Sequence, residues 1–263
     1  MGDTMEEVGF ETKAKKFGID SFTLKIIAVV SMVIDHYAAI VYPMSYGGSF
    51  ANMPPSSMQI YMLLRMVGRI AFPIFAYLIA EGFIKTKNAK NYAKRLFIFA
   101  LISTPAYNIA FGQTFIYTKK FLISFIFGNV MWTFFFSIIM LYIIKKIQDK
   151  GLNVVVKIIL IIATFAIFYF IGSFTMCDRK GLGILTVGAF YLFRKNKPLQ
   201  FVAGAIPLYY QNIVSCIAFI PLAFYNGKRG KDYRYFFYTF YPAHLFIFAL
   251  IRFAQYGVGT FIK

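Results

Sequence analysis

The sequence predicts an all-α, polytopic transmembrane bundle of about nine helices, and three observations lead to this prediction. Apolar stretches of about 20 residues, the length that crosses a bilayer as a helix, recur along the 263-residue chain. Hydrophobic residues make up 59% of the chain and charged residues only 14%, whereas about a quarter of a soluble domain is charged. The apolar runs are also continuous rather than alternating, which favours helices over transmembrane strands.

The helices follow from the apolar runs in chain order. The first run begins after a polar tail of mixed charge and ends before Pro43, and basic loops separate the second run from the third and the fourth from the fifth. Three later runs are shorter than a full crossing and are expected to be tilted, thinned or partly re-entrant. The predicted spans are 22–42, 59–84, 92–112, 121–145, 153–173, 181–194, 198–211, 213–226 and 236–256. The domains are then a tail at 1–21, a single membrane domain at 22–256 and a short tail at 257–263.

Basic residues predict the orientation and the partners. With a cytoplasmic N-terminus, 19 of the 28 Lys and Arg residues fall in inside loops and five in outside loops, as the positive-inside rule requires. The net charge of +18 is therefore attributed to topology and to anionic membrane lipids, and no nucleic-acid partner is expected. Cys177 and Cys216 form no cluster with histidine, so neither a metal site nor a disulfide is predicted.

The first predicted span carries three ionisable residues, although each costs about 2.5–3.5 kcal/mol at mid-membrane on insertion scales. Lys25 and His36 are eleven residues apart, close to three helical turns, and so share a face about 16 Å apart along the axis. Asp35 lies beside His36 but about 100° round the helix. Its partner is therefore expected on another span.

The second predicted span supplies that partner. Arg65 and Arg69 are four residues apart, at the depth of Asp35, and Glu81 lies near the depth of Lys25. Small Gly68 favours close approach of the two helices. These pairs either fix helix packing or form a site, and the choice stays open for Lys25 and Glu81. Two arginines against one acid suit phosphate or a developing oxyanion.

His36 has the features of a general base, because an imidazole there lies beside a carboxylate and near two arginines. The alternative is a satisfied core histidine. His244, which follows Pro242 in the last span, is the second histidine candidate. Asp178 and Asn129 are expected to add polar lining to a cavity.

Several blocks of the chain resemble a known family over residues 22 to 250. They are "LKIIAVVSMVIDHYAAIVYP", "RMVGRIAFPIFAYLIAEGF", "CDRKGLGIL", "FYNGKRG" and "FYPAHL", and they resemble the TraX family, which is named for a conjugal-pilin acetylase of bacterial membranes. The resemblance implies a bacterial plasma-membrane acyltransferase that uses acetyl-CoA. The spacing of Lys25 and His36 also looks like the basic-x10-His signature of glycan O-acetyltransferases, which implies that His36 is catalytic and Lys25 its motif partner.

The resulting hypothesis is transfer of an acetyl or short acyl group from cytoplasmic acyl-CoA to a hydroxyl or amine acceptor. His36 would be the general base, Asp35 would orient it, and Arg65 or Arg69 would stabilise the oxyanion. The acceptor is a pilin-like peptide amine, a surface glycan or a small molecule. The residues expected to bind the acyl-CoA are Lys25, Glu81, Lys228 and Arg229. Two alternatives remain: a proton-coupled or anion transporter that uses the same charged residues, and a membrane scaffold.

Overall fold

The protein is helical throughout the part of the chain that its computed structural model describes, namely residues 18–112, 126–231 and 233–256. The α-helices are α1 (Ser21–His36), α2 (Pro55–Gly68), α3 (Ala71–Lys85), α4 (Ala89–Ala110), α5 (Val130–Asp149), α6 (Val154–Phe174), α7 (Lys180–Leu192), α8 (Lys197–Asn212), α9 (Phe219–Ala223) and α10 (Arg234–Tyr256). Within those ranges the only β-type pairing is a single bridge between Ile19 and Tyr225. The prediction of an all-α membrane protein is confirmed. The tail up to residue 17, residues 121–125 of the predicted fourth span and the tail 257–263 lie outside the described residues.

Side-chain caps fix where many of these helices begin. The Asp20 carboxylate accepts a hydrogen bond of 2.8 Å from the backbone N–H of Thr23, at the start of α1. Asparagine performs the same role at four more helices, through Asn88, Asn129, Asn153 and Asn196. A cap satisfies a backbone N–H that has no partner inside the helix, which matters most where water is scarce.

Six segments are long and apolar enough to cross a membrane, judged by length and composition among the described residues. They are Ser21–Tyr46, Pro55–Lys85, Val130–Asp149, Val154–Phe174, Lys197–Ala223 and Tyr235–Tyr256. Helix α7 is apolar but only 13 residues long, and α4, which carries several basic residues in its first turns, is not among the six. The count of nine crossings and the cytoplasmic N-terminus stay predictions.

The apolar segment Lys197–Ala223 reverses direction within its length. Asn212 has extended backbone angles (φ −174°, ψ 115°) and its side chain caps a 3-10 helix, Ile213–Ala218, that leads into α9. The two ends of the segment contact each other. Lys197 Nζ donates a 3.0 Å hydrogen bond to the Ala223 carbonyl, and the rings of Phe201 and Phe219 lie 5.0 Å apart. The two ends therefore lie on the same side, as expected for a re-entrant pair built from the predicted runs 198–211 and 213–226.

The predicted second span, 59–84, is not one continuous helix. Helix α2 ends at Gly68, and α3 begins at Ala71 with Pro73 in its first turn. Because proline has no N–H, the carbonyl of Arg69 lacks its usual helical partner, and Arg69 and Ile70 instead form a turn whose N–H groups donate to Met66 and Val67. Arg69 is the C-cap residue of α2 and has helical backbone angles (φ −64°, ψ −17°), so the four-residue spacing still places it one turn beyond Arg65 on the same side of the helix.

Helix α3 lies at the centre of the bundle. It packs against α1, α5 and α7, and Ile74 and Ala76 on it are fully buried. In contrast, only 11% of the apolar window of α6 is buried inside the protein, which places α6 at the periphery, facing lipid. Helix α1, which carries Asp35 and His36, thus packs against the central helix of the bundle.

Candidate active site

His36 is the last residue of α1 and lies where the helix changes type. The next five residues, Tyr37–Val41, form a π-helix, and a 3-10 helix, Tyr42–Tyr46, follows with Pro43 in its first turn. Single π-helical turns inside α-helices are rare and frequently occur at functional sites. This irregular turn packs against α2 and α10, so the histidine lies between three helical elements.

His36 and His244 are joined by a hydrogen bond of 2.7 Å between His36 Nδ1 and His244 Nε2. The two rings are almost coplanar, with an interplanar angle of 2°, and His244 is 4% exposed. His244 Nδ1 lies 2.9 Å from the Phe240 carbonyl. A carbonyl can only accept, so His244 Nδ1 carries the proton and a neutral His244 accepts at Nε2. His36 must therefore donate from Nδ1, which leaves its Nε2 lone pair free to act as a base.

Asp35 is engaged elsewhere. Its Oδ2 lies 2.9 Å from Arg65 Nη1, and the same nitrogen donates to the Asp35 backbone carbonyl at 3.2 Å. Gly68 makes this approach possible, because a Cβ added there would lie 2.6 Å from Asp35 Cγ. The structure thus places an ion pair where the sequence predicted one, between the first and second spans. It does not support the expectation that Asp35 orients His36, because His244 makes that hydrogen bond.

A cavity of about 210 Å³, called here the histidine cavity, opens beside these residues. Its polar lining includes every residue predicted to be catalytic and also Asp178. The lining also contains residues that the sequence reasoning did not assign to the site, above all Arg179 on the loop before α7. The polar residues are Asp35, His36, Arg65, Arg69, Tyr107, Asp178, Arg179 and Tyr241.

Arg179 is held in the histidine cavity by a strained turn. Met176, Arg179 and Lys180 have φ values of 53°, 68° and 49°, in the left-handed region that non-glycine residues rarely occupy and that is concentrated at functional sites. Gly183 leaves the room that the turn needs, since a Cβ there would lie 2.6 Å from Arg179 Cβ. The signal in the sequence was "CDRKGLG", in which the glycines allow the close packing.

A second, larger cavity of about 570 Å³ lies near the N-terminal end of α1 and is called here the basic cavity. Glu81 in it forms an ion pair of 2.6 Å with Lys85 and accepts a 3.3 Å hydrogen bond from Tyr225 Oη. Burial and the Glu81 carboxylate raise the pKa of Tyr225, which therefore stays a protonated donor. The charged lining residues are Lys25, Glu81, Lys85, Lys87, Arg95 and Arg229. A cavity with five basic side chains and one acid suits a polyanionic ligand.

Three of the predicted site residues belong to the lining of neither cavity. His244, which was expected to line a cavity, instead contacts the site through its hydrogen bond with His36. The Asn129 side-chain amide donates to the Ala100 carbonyl at 3.0 Å, and its oxygen caps α5, so Asn129 ties α4 to α5 and is not a cavity-lining residue. Lys228 is exposed and does not line the basic cavity, whereas its neighbour Arg229 does. These positions correct the corresponding predictions.

The two cavities adjoin each other. Phe75 of α3 and Phe134 of α5 belong to the linings of both. Lys25 lies at the basic cavity and His36 at the histidine cavity, about 16 Å apart along α1. The two cavities therefore share a wall to which these two aromatic side chains contribute.

Comparison with known proteins identifies the family. The chain is 28% identical over 257 residues to a probable fimbrial assembly protein FimC, serogroup H1, of Dichelobacter nodosus, and the alignment covers 88% of this chain and 95% of that relative. No solved structure matches the chain significantly. The family model described as TraX protein matches residues 21–252, which is nearly the whole described membrane domain. The chain therefore belongs to the TraX protein family.

Proposed function

We propose that this protein is an integral-membrane acyltransferase of the bacterial plasma membrane. It would transfer an acetyl or short acyl group from acetyl-CoA to a hydroxyl or amine at or across the membrane, with the N-terminus in the cytoplasm. The observation that carries the proposal is the hydrogen bond from His36 to His244, because it leaves a base with a fixed lone pair in a cavity lined by arginines.

The basic cavity fits the acyl donor. Coenzyme A carries several phosphate oxygens at one end, and Lys25, Lys85, Lys87, Arg95 and Arg229 supply matching cations. The apolar rings of Phe75 and Phe134 then separate this cavity from the histidine cavity. The acyl group, at the far end of an extended pantetheine arm, would pass between these rings and reach His36.

The residues of the histidine cavity supply a base for the acceptor proton and hydrogen-bond donors for the negative charge of the tetrahedral intermediate. His36 Nε2 takes the proton from the acceptor hydroxyl or amine as that group attacks the thioester carbonyl. His244 Nε2, which accepts a hydrogen bond from His36 Nδ1, stabilises the resulting imidazolium. Arg65, whose Nη1 is fixed by Asp35, directs its remaining N–H groups to the oxyanion of the tetrahedral intermediate. When that intermediate collapses, the thiolate of coenzyme A leaves and receives the proton from His36.

The name of the relative indicates which class of acceptor to test first. A protein named for fimbrial assembly makes the amine of a pilin-like peptide the first acceptor to test, before a surface glycan or a small molecule. A pilin amine meets the requirement of His36 for a group with a removable proton.

The test is transfer of label from radiolabelled acetyl-CoA by purified protein in nanodiscs, with membrane extract as the source of acceptor. Wild type is compared with His36→Ala and with the control Lys228→Gln, because Lys228 is exposed and lines neither cavity. We expect labelled product with wild type and Lys228→Gln, and none with folded His36→Ala. If wild type neither binds acetyl-CoA nor transfers label, the proposal fails, and ion flux in liposomes would test the transporter alternative.

A further inference from the structure

The charges around the histidine cavity do not balance. Arg65, Arg69 and Arg179 line it, against Asp35 and Asp178. Asp35 is paired with Arg65. Asp178 has a side chain that is 41% exposed, and its Oδ2 lies 3.7 Å from Arg179 Nε, which is too far for a hydrogen bond. Positive charge is thus left over on the side of the cavity that Arg65 does not occupy.

Two guanidinium groups in the cavity have unused donors. Arg69 is half-buried, and its side chain makes neither a hydrogen bond nor an ion pair with any residue in the described part of the chain. Arg179 is only 14% exposed in its side chain, and its Nε is buried without a hydrogen-bond partner. Guanidinium N–H groups that face a cavity without a hydrogen-bond acceptor are available to a ligand that supplies acceptors.

One of these two residues, Arg179, is held in place by a strained backbone turn. Arg179 is one of three residues in the turn with a left-handed φ, each of which is a conformation that persists only when the surroundings impose it. Its guanidinium also lies 5.2 Å from the centre of the Phe72 ring, on the cavity wall. The position of Arg179 is therefore fixed before any ligand arrives.

We infer that Arg69 and Arg179 bind an anionic group, a carboxylate or a phosphate, on the acceptor molecule. This inference rests on the proposed function, because only that function makes the histidine cavity the acceptor site. Planar guanidinium groups match both anions through paired hydrogen bonds. The cavity of about 210 Å³ is smaller than ordinary ligand pockets. The anionic group must therefore lie close to the hydroxyl or amine that faces His36.

The experiment uses three probes with one carbon skeleton: glycerol, glycerate and glycerol 3-phosphate. Each carries a hydroxyl, and only the last two carry an anion. Binding of each labelled probe to purified full-length protein in nanodiscs is measured without acetyl-CoA, for wild type, Arg69→Gln and Arg179→Gln. Arg252→Gln is the matched control, because Arg252 also has a buried Nε without a partner but lines neither cavity. Arg229→Gln reports any binding in the basic cavity.

Wild type is expected to bind at least one anionic probe about 10- to 100-fold more tightly than glycerol, the range for charge-assisted hydrogen bonds. Arg69→Gln and Arg179→Gln should each remove most of that preference, Arg69→Lys should restore part of it, and the two controls should keep it. The tighter anion distinguishes carboxylate from phosphate. Equal binding of all three probes, no binding at all, or a preference lost only in Arg229→Gln would overturn the inference.

The same probes separate this inference from the proposed function. Adding radiolabelled acetyl-CoA to each binding mixture reports transfer to the probe hydroxyl. Anion binding without transfer of label to any probe or extract component would refute the acyltransferase proposal while leaving the anion site intact. Equal transfer of label to charged and neutral probes would refute the anion site while leaving the acyltransferase proposal intact.

Discussion

Replacing His244 tests the tautomer argument directly. His244→Leu removes the acceptor for His36 Nδ1 while roughly keeping side-chain volume, and His244→Gln places an amide oxygen near the position of Nε2. In the leucine variant the His36 N–H loses its partner in a buried site, and the ring loses its fixed orientation. The glutamine variant keeps an acceptor.

The size of the effect follows from the change in His36 during reaction. The bond is 2.7 Å long and His244 is almost fully buried, so solvent cannot replace it. When His36 takes up a proton the bond becomes charge-assisted, with a strength of about 1.5–3 kcal/mol. Since about 1.4 kcal/mol corresponds to a factor of ten in rate, His244→Leu should lower kcat/KM by roughly 10- to 100-fold.

The assay is initial-rate acetyl transfer with each variant at matched protein level, after thermal unfolding has shown that all are folded. His244→Gln should recover most of the activity that His244→Leu loses, because only an acceptor is required at this position. If both variants lose activity equally, or if His244→Leu stays within twofold of wild type, His244 does not orient the base. In that case the roles assigned to the two histidines are wrong.

Three further results are expected. Gly68→Ala should lower the free energy of unfolding by about 1–3 kcal/mol through overpacking against α1, measured by thermal or denaturant unfolding, whereas Gly151→Ala, with no atom within 4 Å of the added Cβ, should change it little. Arg229→Gln should raise the KM for acetyl-CoA several-fold, and adjacent Lys228→Gln, which does not line the basic cavity, should not; equal effects would contradict the assignment of the donor site. Single cysteines at Lys195 and Lys228, introduced after replacement of both native cysteines, should react with an impermeant maleimide from the same side of the membrane, and labelling from opposite sides would rule out the re-entrant pair.

Spacing along one helix or between neighbouring helices could be predicted from the sequence. The distance from Lys25 to His36 and the pairing of Asp35 with Arg65 follow from helical rise and from the depth of each residue in adjacent spans. The close approach at Gly68 follows from the absence of a side chain. These features need no knowledge of how distant parts of the chain meet.

The contact between His36 and His244 lies beyond such reasoning, because 208 residues separate them and periodicity within either helix says nothing about which helices touch. Asp35, adjacent in sequence, was the natural partner to expect, but successive residues on a helix point about 100° apart. The place of Arg179 in the histidine cavity could not be predicted from the sequence either. Its position depends on a left-handed φ of 68°, which sequence patterns predict poorly for a residue other than glycine.

The break at Arg69 was, in contrast, visible in the sequence. Pro73 in "RIAFPIF" removes the N–H that would have bonded to the Arg69 carbonyl. The hydropathy of residues 59–84 does not reveal the break, because a window average records how apolar a segment is and not whether its helical hydrogen bonds continue. The break leaves Arg69 at the C-terminal end of α2, where it lines the histidine cavity together with Arg65.

The shared wall of Phe75 and Phe134 also has a consequence for the leakage of ions through the protein. A protein that transfers a group from a donor on one side of the membrane to an acceptor on the other must bind both without letting ions leak across. A unit charge that crosses a membrane potential of 100 mV gains or loses about 2.3 kcal/mol. Two cavities that meet only at aromatic rings hold their charged side chains in separate compartments, with no polar lining residue in common. Such an arrangement would let a neutral two-carbon group cross while the low-dielectric partition keeps protons and ions from following it.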